Sequence, residues 1–149
     1  MRILILSDNH SRSIELNLSK YDYVIHCGDY GSFYDYVKND SKVLIVRGNC
    51  DFEGNKEIFT NIKNRNVLVV HGDLYNVKSH YNTLIYKALS MNANMVFFGH
   101  THRADMFIIE NIVFINPGSY HYGEYVEIDD NNIIFYSNDK VFKKYEFRW

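Results

Sequence analysis

A chain of 149 residues with a formal net charge of −2 and an isoelectric point near 6.4 lacks the basic footprint of a binder of large nucleic acids or anionic membranes. Apolar residues make up 46% and charged residues 23%, a balance that fills one core, so a single domain over 1–149 is expected. No apolar stretch approaches the roughly 20 residues of a bilayer span, and the opening "MRILILSDNH" has only a short apolar run with no small-residue cleavage site after it. A cytoplasmic location is therefore expected. Cys27 and Cys50 are the only cysteines, form no zinc-type CxxC pair, and read as free thiols in that setting.

In chain order, the first strands are "RILIL" (2–6), "YVIH" (23–26), "VLIV" (43–46), "VLVV" (67–70) and "MVFF" (95–98). They are near-continuous in apolar residues, which is how strands buried on both faces read. Helices are expected between several of them, over 12–20, 32–38 and 77–90. In the last, Val77, Tyr81, Leu84, Ile85, Ala88 and Leu89 recur at helical spacing. "YGSFYDY" (30–36) reads as core and surface helix, not as a base-stacking platform. From 106 onward the runs "MFIIE", "IVFIN", "GEYVEID", "NIIFYS" and "VFKKYEF" are strand-like, with "DDNN" and "SND" as turns between the later ones. This is an α/β chain with two packed sheets and flanking helices, its α/β units followed by a meander.

The polar residues gather where the first five strands end. "SDNH" brings Asp8 and His10, "CGDY" Asp29, and "RGNCD" Asn49, Cys50 and Asp51. "HGD" brings His71, and "GHTH" brings His100 and His102. In open α/β sheets ligands bind outside the carboxyl ends of the strands, so seven candidate ligands, Asp8, His10, Asp29, Asn49, His71, His100 and His102, share one rim. Such donors suit Mn, Fe, Ni, Co or Zn. They outnumber the needs of one tetrahedral ion and suit two ions. Taken singly, Asp8 reads as a helix cap, Asp29 and Asn49 as turn residues, and the histidines as satisfied core residues. Their recurrence at five strand ends favours ligation.

DxH, GD, GNxD, H and GHxH in this order, with "INPGS" after them, resemble the calcineurin-like metallophosphoesterase superfamily, and within it the YfcE-type phosphodiesterase branch, to which the retromer subunit Vps29 is related. The resemblance spans nearly the whole chain. It implies a four-layer αββα sandwich of two mixed β-sheets flanked by helices. It also implies that Asp8, His10 and His102 hold one divalent ion, that Asn49, His71 and His100 hold a second, and that Asp29 bridges them. The implied activity is hydrolysis of a small phosphodiester by a metal-bridging hydroxide, with Asp29, Asn49, Cys50 and Asp51 at the catalytic centre. Manganese is the first expectation for the metal, with nickel, iron or zinc as alternatives.

Many relatives carry GNH where this chain has "GNCD". A thiol is a weaker proton donor than an imidazolium, so esters with good leaving groups are expected to be the better substrates. Alternatives are a phosphomonoesterase or nucleotide pyrophosphatase, and a Vps29-like metal-binding scaffold. Relatives form dimers or tetramers, and a homo-oligomer is compatible with the β meander. Among the remaining residues, His26 reads as core and His80 as solvated. His121 is open between a loop position and the site, and Arg47 between a phosphate contact and a solvated side chain. "NPGS" (116–119) reads as a supporting turn.

Overall fold

A computed structural model describes residues 1–149. The first sheet has the order β11-β10-β9-β1-β2-β3 and the second β4-β5-β6-β8-β7. The first is built from β1 (Ile3–Leu6), β2 (Tyr23–His26), β3 (Val43–Ile45), β9 (Glu124–Ile128), β10 (Asn132–Ser137) and β11 (Lys140–Glu146). The second is built from β4 (Glu57–Ile62), β5 (Arg65–Val70), β6 (Met95–Phe97), β7 (Ala104–Ile109) and β8 (Ile112–Pro117). β1, β2 and β3 run parallel, as do β5, β6 and β8. β9, β10 and β11 are antiparallel additions to β1, and β4 and β7 are antiparallel edges of the second sheet.

The apolar runs explain the layering. Alternate residues of a strand face opposite ways. Ile3 and Ile5 of β1 and Val67 and Val69 of β5 meet in the core between the sheets, beside Phe97, Ile115, Val126 and Phe135. The intervening Leu4 and Leu6 face outward, onto a cluster covered by Ile14, Leu16 and Leu18. Leu68 and Val70 face outward on the other side, under α2 (Asn82–Ser90), which contributes Leu84 and Ala88. The short helix α1 (Phe33–Val37) lays Phe33 and Val37 against Ile45. Each fully buried side chain of this size contributes about 1.5–3 kcal/mol. The two sheets and their outer cover make the expected α/β sandwich. No helix is long and apolar enough to cross a membrane.

Three local expectations change. Residues 12–20 do not form a helix beyond a 3-10 turn at Leu18–Lys20. Asn17 Oδ1 there accepts from Ser19 N at 3.1 Å and Ser19 Oγ at 2.7 Å, local bonds that compete with helix. The 77–90 helix begins only at Asn82, because Asn76 is left-handed (φ 53°) and the chain turns over 76–79 and bends at Tyr81. Val77 is buried in the same cluster as Leu84 and so mimics the helical spacing. β4, finally, has no counterpart among the apolar runs. It is an edge strand, exposed at Glu57, Phe59 and Asn61, so its burial alternates and its sequence is not a continuous apolar run. It turns into β5 through Lys63–Asn64, both at positive φ (44° and 67°), the geometry of a two-residue hairpin loop.

Candidate metal centre

The carboxyl ends of β1, β2 and β3 in one sheet and of β5 and β6 in the other open onto the same edge of the sandwich. Backbone hydrogen bonds lace their loops together. Asp8 N donates to Gly28 O (2.9 Å), His10 N to Asp29 O (3.0 Å) and Gly99 N to His71 O (2.9 Å). Two glycines allow this closeness. A Cβ on Gly99 would overlap the Ser7 hydroxyl, and one on Gly48 would overlap the Asp29 carboxylate. The loops take a strained course: Asp8, His10, Asp29, His100 and His102 all have φ between 48° and 68°. Non-glycine residues rarely adopt that region, and such outliers cluster at functional sites.

The seven candidate ligands come together. On one side His10 Nε2 is 3.3 Å from His102 Nε2, and His102 Nε2 is 3.1 Å from Asp8 Oδ1. On the other, His71 Nε2 is 3.0 Å from Asn49 Oδ1 and 3.1 Å from His100 Nδ1. Asp29 Oδ2 lies between, 3.4 Å from His71 Nε2 and 3.9 Å from His10 Nε2. Metal–nitrogen bonds of about 2.1 Å place neighbouring donors of one ion roughly 3.0–3.4 Å apart, which matches most of these spacings.

The chemistry of the donor set also fits a cation. His71 Nδ1 lies 2.7 Å from the Cys27 carbonyl, which can only accept. The proton therefore sits on Nδ1, and the Nε2 lone pair faces Asn49 Oδ1 and Asp29 Oδ2, two further acceptors. Asp8 is fully buried. Its Oδ2 accepts from the Ser7 hydroxyl and from His100 N, and its Oδ1 faces His102 Nε2 at 3.1 Å. A buried carboxylate costs several kcal/mol unless positive charge meets it, on a neighbouring imidazolium or a bound cation.

The electrostatics carry the same demand. Burial would raise the Asp29 carboxyl, but the His71 hydrogen bond and charge, with the Cys50 N–H, hold it far below the usual carboxylate range. Burial likewise opposes ionisation of Asp8, and His102, His71 and Ser7 outweigh it. Burial would lower His71, yet Asp29 and Asp8 raise it. The Asp8 hydrogen bond raises His102, whereas burial and the neighbouring His71 lower His100. The buried carboxylates thus favour positive charge within the cluster, on its imidazoles or on a bound cation.

The remaining expected residues separate by role. Asp51 accepts from Asp29 N (2.7 Å), Tyr30 N (3.1 Å) and Gly48 N (2.8 Å). Both its oxygens are committed to backbone, so it holds two ligand-bearing loops together. Cys50 is exposed at the mouth. Its N–H donates to Asp29 Oδ1 at 2.9 Å, and burial with the Asp29 charge raises its thiol pKa. His121 stands at the rim, its ring centroid 6.4 Å from that of His10. Arg47 donates to Phe52 O at 3.1 Å, bracing the loop after Asp51. His26 is buried and His80 exposed, as expected, and the cysteines are free. Tyr30 and Phe33 are buried and Tyr36 is exposed.

The supporting turn expected at 116–119 braces the site, and Ser7 and Asn9 are supports that a reading by type and spacing leaves out. Asn116 Nδ2 donates to Gly99 O (3.0 Å) and Thr101 Oγ1 (2.9 Å), fixing the turn that carries both histidines. Ser119 Oγ donates to Asp8 O (2.8 Å), so "NPGS" is a brace. His26 Nδ1 accepts from Gly28 N, which leaves Nε2–H to donate to Asn9 Oδ1 at 2.8 Å. Asn9 in turn holds Arg12 O and Tyr30 O. The only cue for Ser7 and Asn9 was their place beside Asp8.

A calcineurin-like phosphoesterase superfamily domain matches residues 1–128. The "probable metallophosphoesterase YsnB" of Bacillus subtilis is 33% identical over 127 residues, 80% of this chain and 75% of that protein. The phosphodiesterase MJ0936 of Methanocaldococcus jannaschii is 28% identical over 138 residues, 79% of this chain and 83% of that protein. Among solved structures, a conserved Streptococcus pneumoniae protein titled a predicted phosphoesterase superposes with a TM-score of 0.78 at 25% identity, covering 98% of this chain and 97% of its own. Vps29 from Cryptosporidium parvum superposes at 0.79 with 17% identity, covering 99% and 98%, a likeness of fold. With the family domain matched over most of its length, the chain belongs to the calcineurin-like phosphoesterase superfamily.

Proposed function

We propose that this protein is a phosphodiesterase acting on small phosphodiesters through two divalent ions, manganese foremost. The observation that carries the reading is the position of Asp29 Oδ2 between His71 Nε2 and His10 Nε2, with a donor group on either side. Asp8, His10 and His102 would hold one ion and Asn49, His71 and His100 the other, with Asp29 shared. Bound there, the ions supply Lewis acidity to a phosphoryl group and acidify water at neutral pH.

The chain's own contribution is to hold these donors ready. The Cys27 carbonyl fixes His71 in the tautomer whose Nε2 is free to ligate. Asp51 ties the Asn49–Cys50 loop to Asp29, and Asn116 ties down the turn of His100 and His102. Cys50 keeps its thiol proton beside Asp29 and is the group placed to protonate a leaving oxygen. A weak acid there favours esters whose leaving groups need little protonation. The name of MJ0936 supports diesters over monoesters, and the net charge of −2 supports a small substrate.

The test is hydrolysis of bis(p-nitrophenyl) phosphate by chelator-treated protein, with and without Mn²⁺, alongside Asp29→Asn. Manganese-dependent turnover that the variant loses supports the reading. Turnover confined to monoesters replaces it with a phosphomonoesterase. Inactivity on both substrate classes with Mn, Ni, Fe and Zn rejects catalysis.

A further inference from the structure

A single exposed apolar side chain is ordinary on a protein surface, but Phe52 is held where a substrate would pass. At 93% exposure it is the most exposed large apolar side chain of the chain. It follows Asp51 directly, in a loop closed by a bond from Arg47 N to Asn55 O (2.7 Å). Three consecutive residues of that loop are pinned. Asp51 binds backbone through both oxygens, Arg47 Nη1 donates to Phe52 O (3.1 Å) and the Tyr30 hydroxyl donates to Glu53 O (2.6 Å). An anchored backbone thus carries the ring in solvent, which folding alone does not reward, since burial is what stabilises an apolar ring.

A second observation joins this ring to the metal centre. The mouth of the centre, lined by His10, Asp29 and Cys50, continues into a cleft of about 260 Å³, and the two share Gly31, Cys50 and Asp51. Phe52 and Tyr34 line the cleft. Tyr34 is already stacked on Tyr30, with ring centroids 4.9 Å apart, and its ring meets the loop at Gly54, where a Cβ would lie 3.4 Å from Tyr34 Cε2. The free aromatic ring is therefore Phe52, outside the 30–36 stretch. Asp35, Asp51 and Glu53 also line the cleft, and no lysine or arginine does. Lys38, with Nζ 2.9 Å from Asp35, offsets one of the three charges. Such a cleft favours a flat apolar group and disfavours a further anion.

We propose that Phe52 is a specificity-determining residue, whose ring stacks on a flat aromatic arm of the phosphodiester while the phosphoryl group lies at the metals. The substrate class is then a diester with an aryl or nucleoside arm that bears no second anionic group. Stacking tolerates different arms of this kind, because every aromatic ring offers a π-face. Carrying the ring on an anchored backbone lowers the ordering cost of binding. The proposal rests on the phosphodiesterase reading for the position of the phosphoryl group and deepens it by naming the arm.

The experiment is calorimetric titration of the Mn²⁺-loaded full chain with diphenyl phosphate and with diethyl phosphate, for wild type, Phe52→Ala and Phe52→Trp. Both probes present one anionic diester group, and only the first has aromatic arms. Wild type is expected to bind diphenyl phosphate at least about fivefold tighter, the low end of what stacking on an aromatic side chain contributes. Phe52→Ala should lose that preference and Phe52→Trp should keep it, while diethyl phosphate affinity stays within about twofold. Equal binding of the two probes by wild type, no binding of diphenyl phosphate, or a preference that survives in Phe52→Ala would overturn the role of the ring. A matching loss of diethyl phosphate or Mn²⁺ affinity in Phe52→Ala would place the effect in the metal loop and overturn it as well. Equally tight binding of bis(p-carboxyphenyl) phosphate would overturn the exclusion of a second anion. Hydrolysis of bis(p-nitrophenyl) phosphate without the aromatic preference leaves the phosphodiesterase reading standing alone. The preference without hydrolysis removes that reading and leaves the ring as a binding site.

Discussion

The first sheet contains two kinds of strand, and only one kind carries the candidate site. β1, β2 and β3 run parallel and all finish at one rim, where Asp8, His10, Asp29 and Asn49 follow them. β9, β10 and β11 are antiparallel and deliver no donor. Yet both halves fill the same core, Ile3, Ile5 and Ile25 beside Val126, Ile133 and Phe135. Burial is indifferent to strand direction, whereas convergence of ligands is not. Parallel strands bring every following loop to the same edge, while antiparallel strands split theirs between two edges. In the parallel half positive φ falls on the candidate ligands Asp8, His10 and Asp29, and in the antiparallel half on the turn residues Asn138 and Asp139; such residues cost about 1–3 kcal/mol each when held off their preferred backbone.

Substitutions in the two halves should therefore fail differently. Asp29→Asn, in the parallel half, is expected to lower metal-dependent hydrolysis at least about a thousandfold, ~4 kcal/mol of barrier, while urea unfolding of the apo chain changes far less. Phe135→Ala, in the antiparallel half, should do the reverse. It removes a fully buried ring and should cost about 3–5 kcal/mol of stability, with metal affinity of the folded protein retained. Equal loss of metal affinity in both variants, measured by titration, would dissolve the distinction.

Acid sharpens it further. His26 ends β2 inside the structure, and burial pushes its imidazole down to about 3. The unfolded chain takes up that proton near pH 6.5 and the folded chain does not. Stability from the neutral imidazole is thus complete above about pH 6.5 and is lost progressively as pH falls toward 3. The effect is expected to be on the order of a few kcal/mol across that window. The check is the urea midpoint of wild type and His26→Gln from pH 7 to 4. The two slopes should diverge, with wild type the steeper.

Smaller still is the effect of a brace. Asn116→Ala frees the turn of His100 and His102 without removing a donor. Metal affinity should drop by about 10–100-fold, ~1.4–2.7 kcal/mol, as read by competition with a chelating dye. An unchanged affinity would show that the turn holds itself.

What was legible in the sequence follows the same division. Apolar runs closed by Asp, Asn or His exposed the strand ends of the parallel half, because a strand buried on both faces has no polar residue until it leaves the sheet. Partnering was not legible. β1 and β5 read alike, and nothing in "RILIL" or "VLVV" says that the chain leaves the first sheet after β3 and returns at β9. The edge strand β4 was hidden by its exposed face, and 12–20 by side-chain bonds that displace a helix. Asp51 read as open between assisting protonation and holding its loop. Its actual partners include the backbone of Asp29 and Tyr30, 22 and 21 residues away, and no local pattern announces such contacts. His26 looked like plain core for the same reason, its partner Asn9 lying 17 residues upstream.

The smallest effect tests the far edge of the antiparallel half. β11 is an outer strand with Lys143 and Lys144 exposed. Edge lysines do little for folding and much against pairing with other chains, since an unpaired edge is a template for a further strand. Lys143→Val with Lys144→Val should change the urea midpoint by no more than about 0.5 kcal/mol and leave metal titration unaltered. The same variant should self-associate at lower concentration in light scattering, because Val141 and Phe142 are already exposed beside the lysines. If it stays as dispersed as wild type, the twist and bulge at Phe135–Tyr136 protect the edge instead, as bulges do by bending a strand out of register with a newcomer.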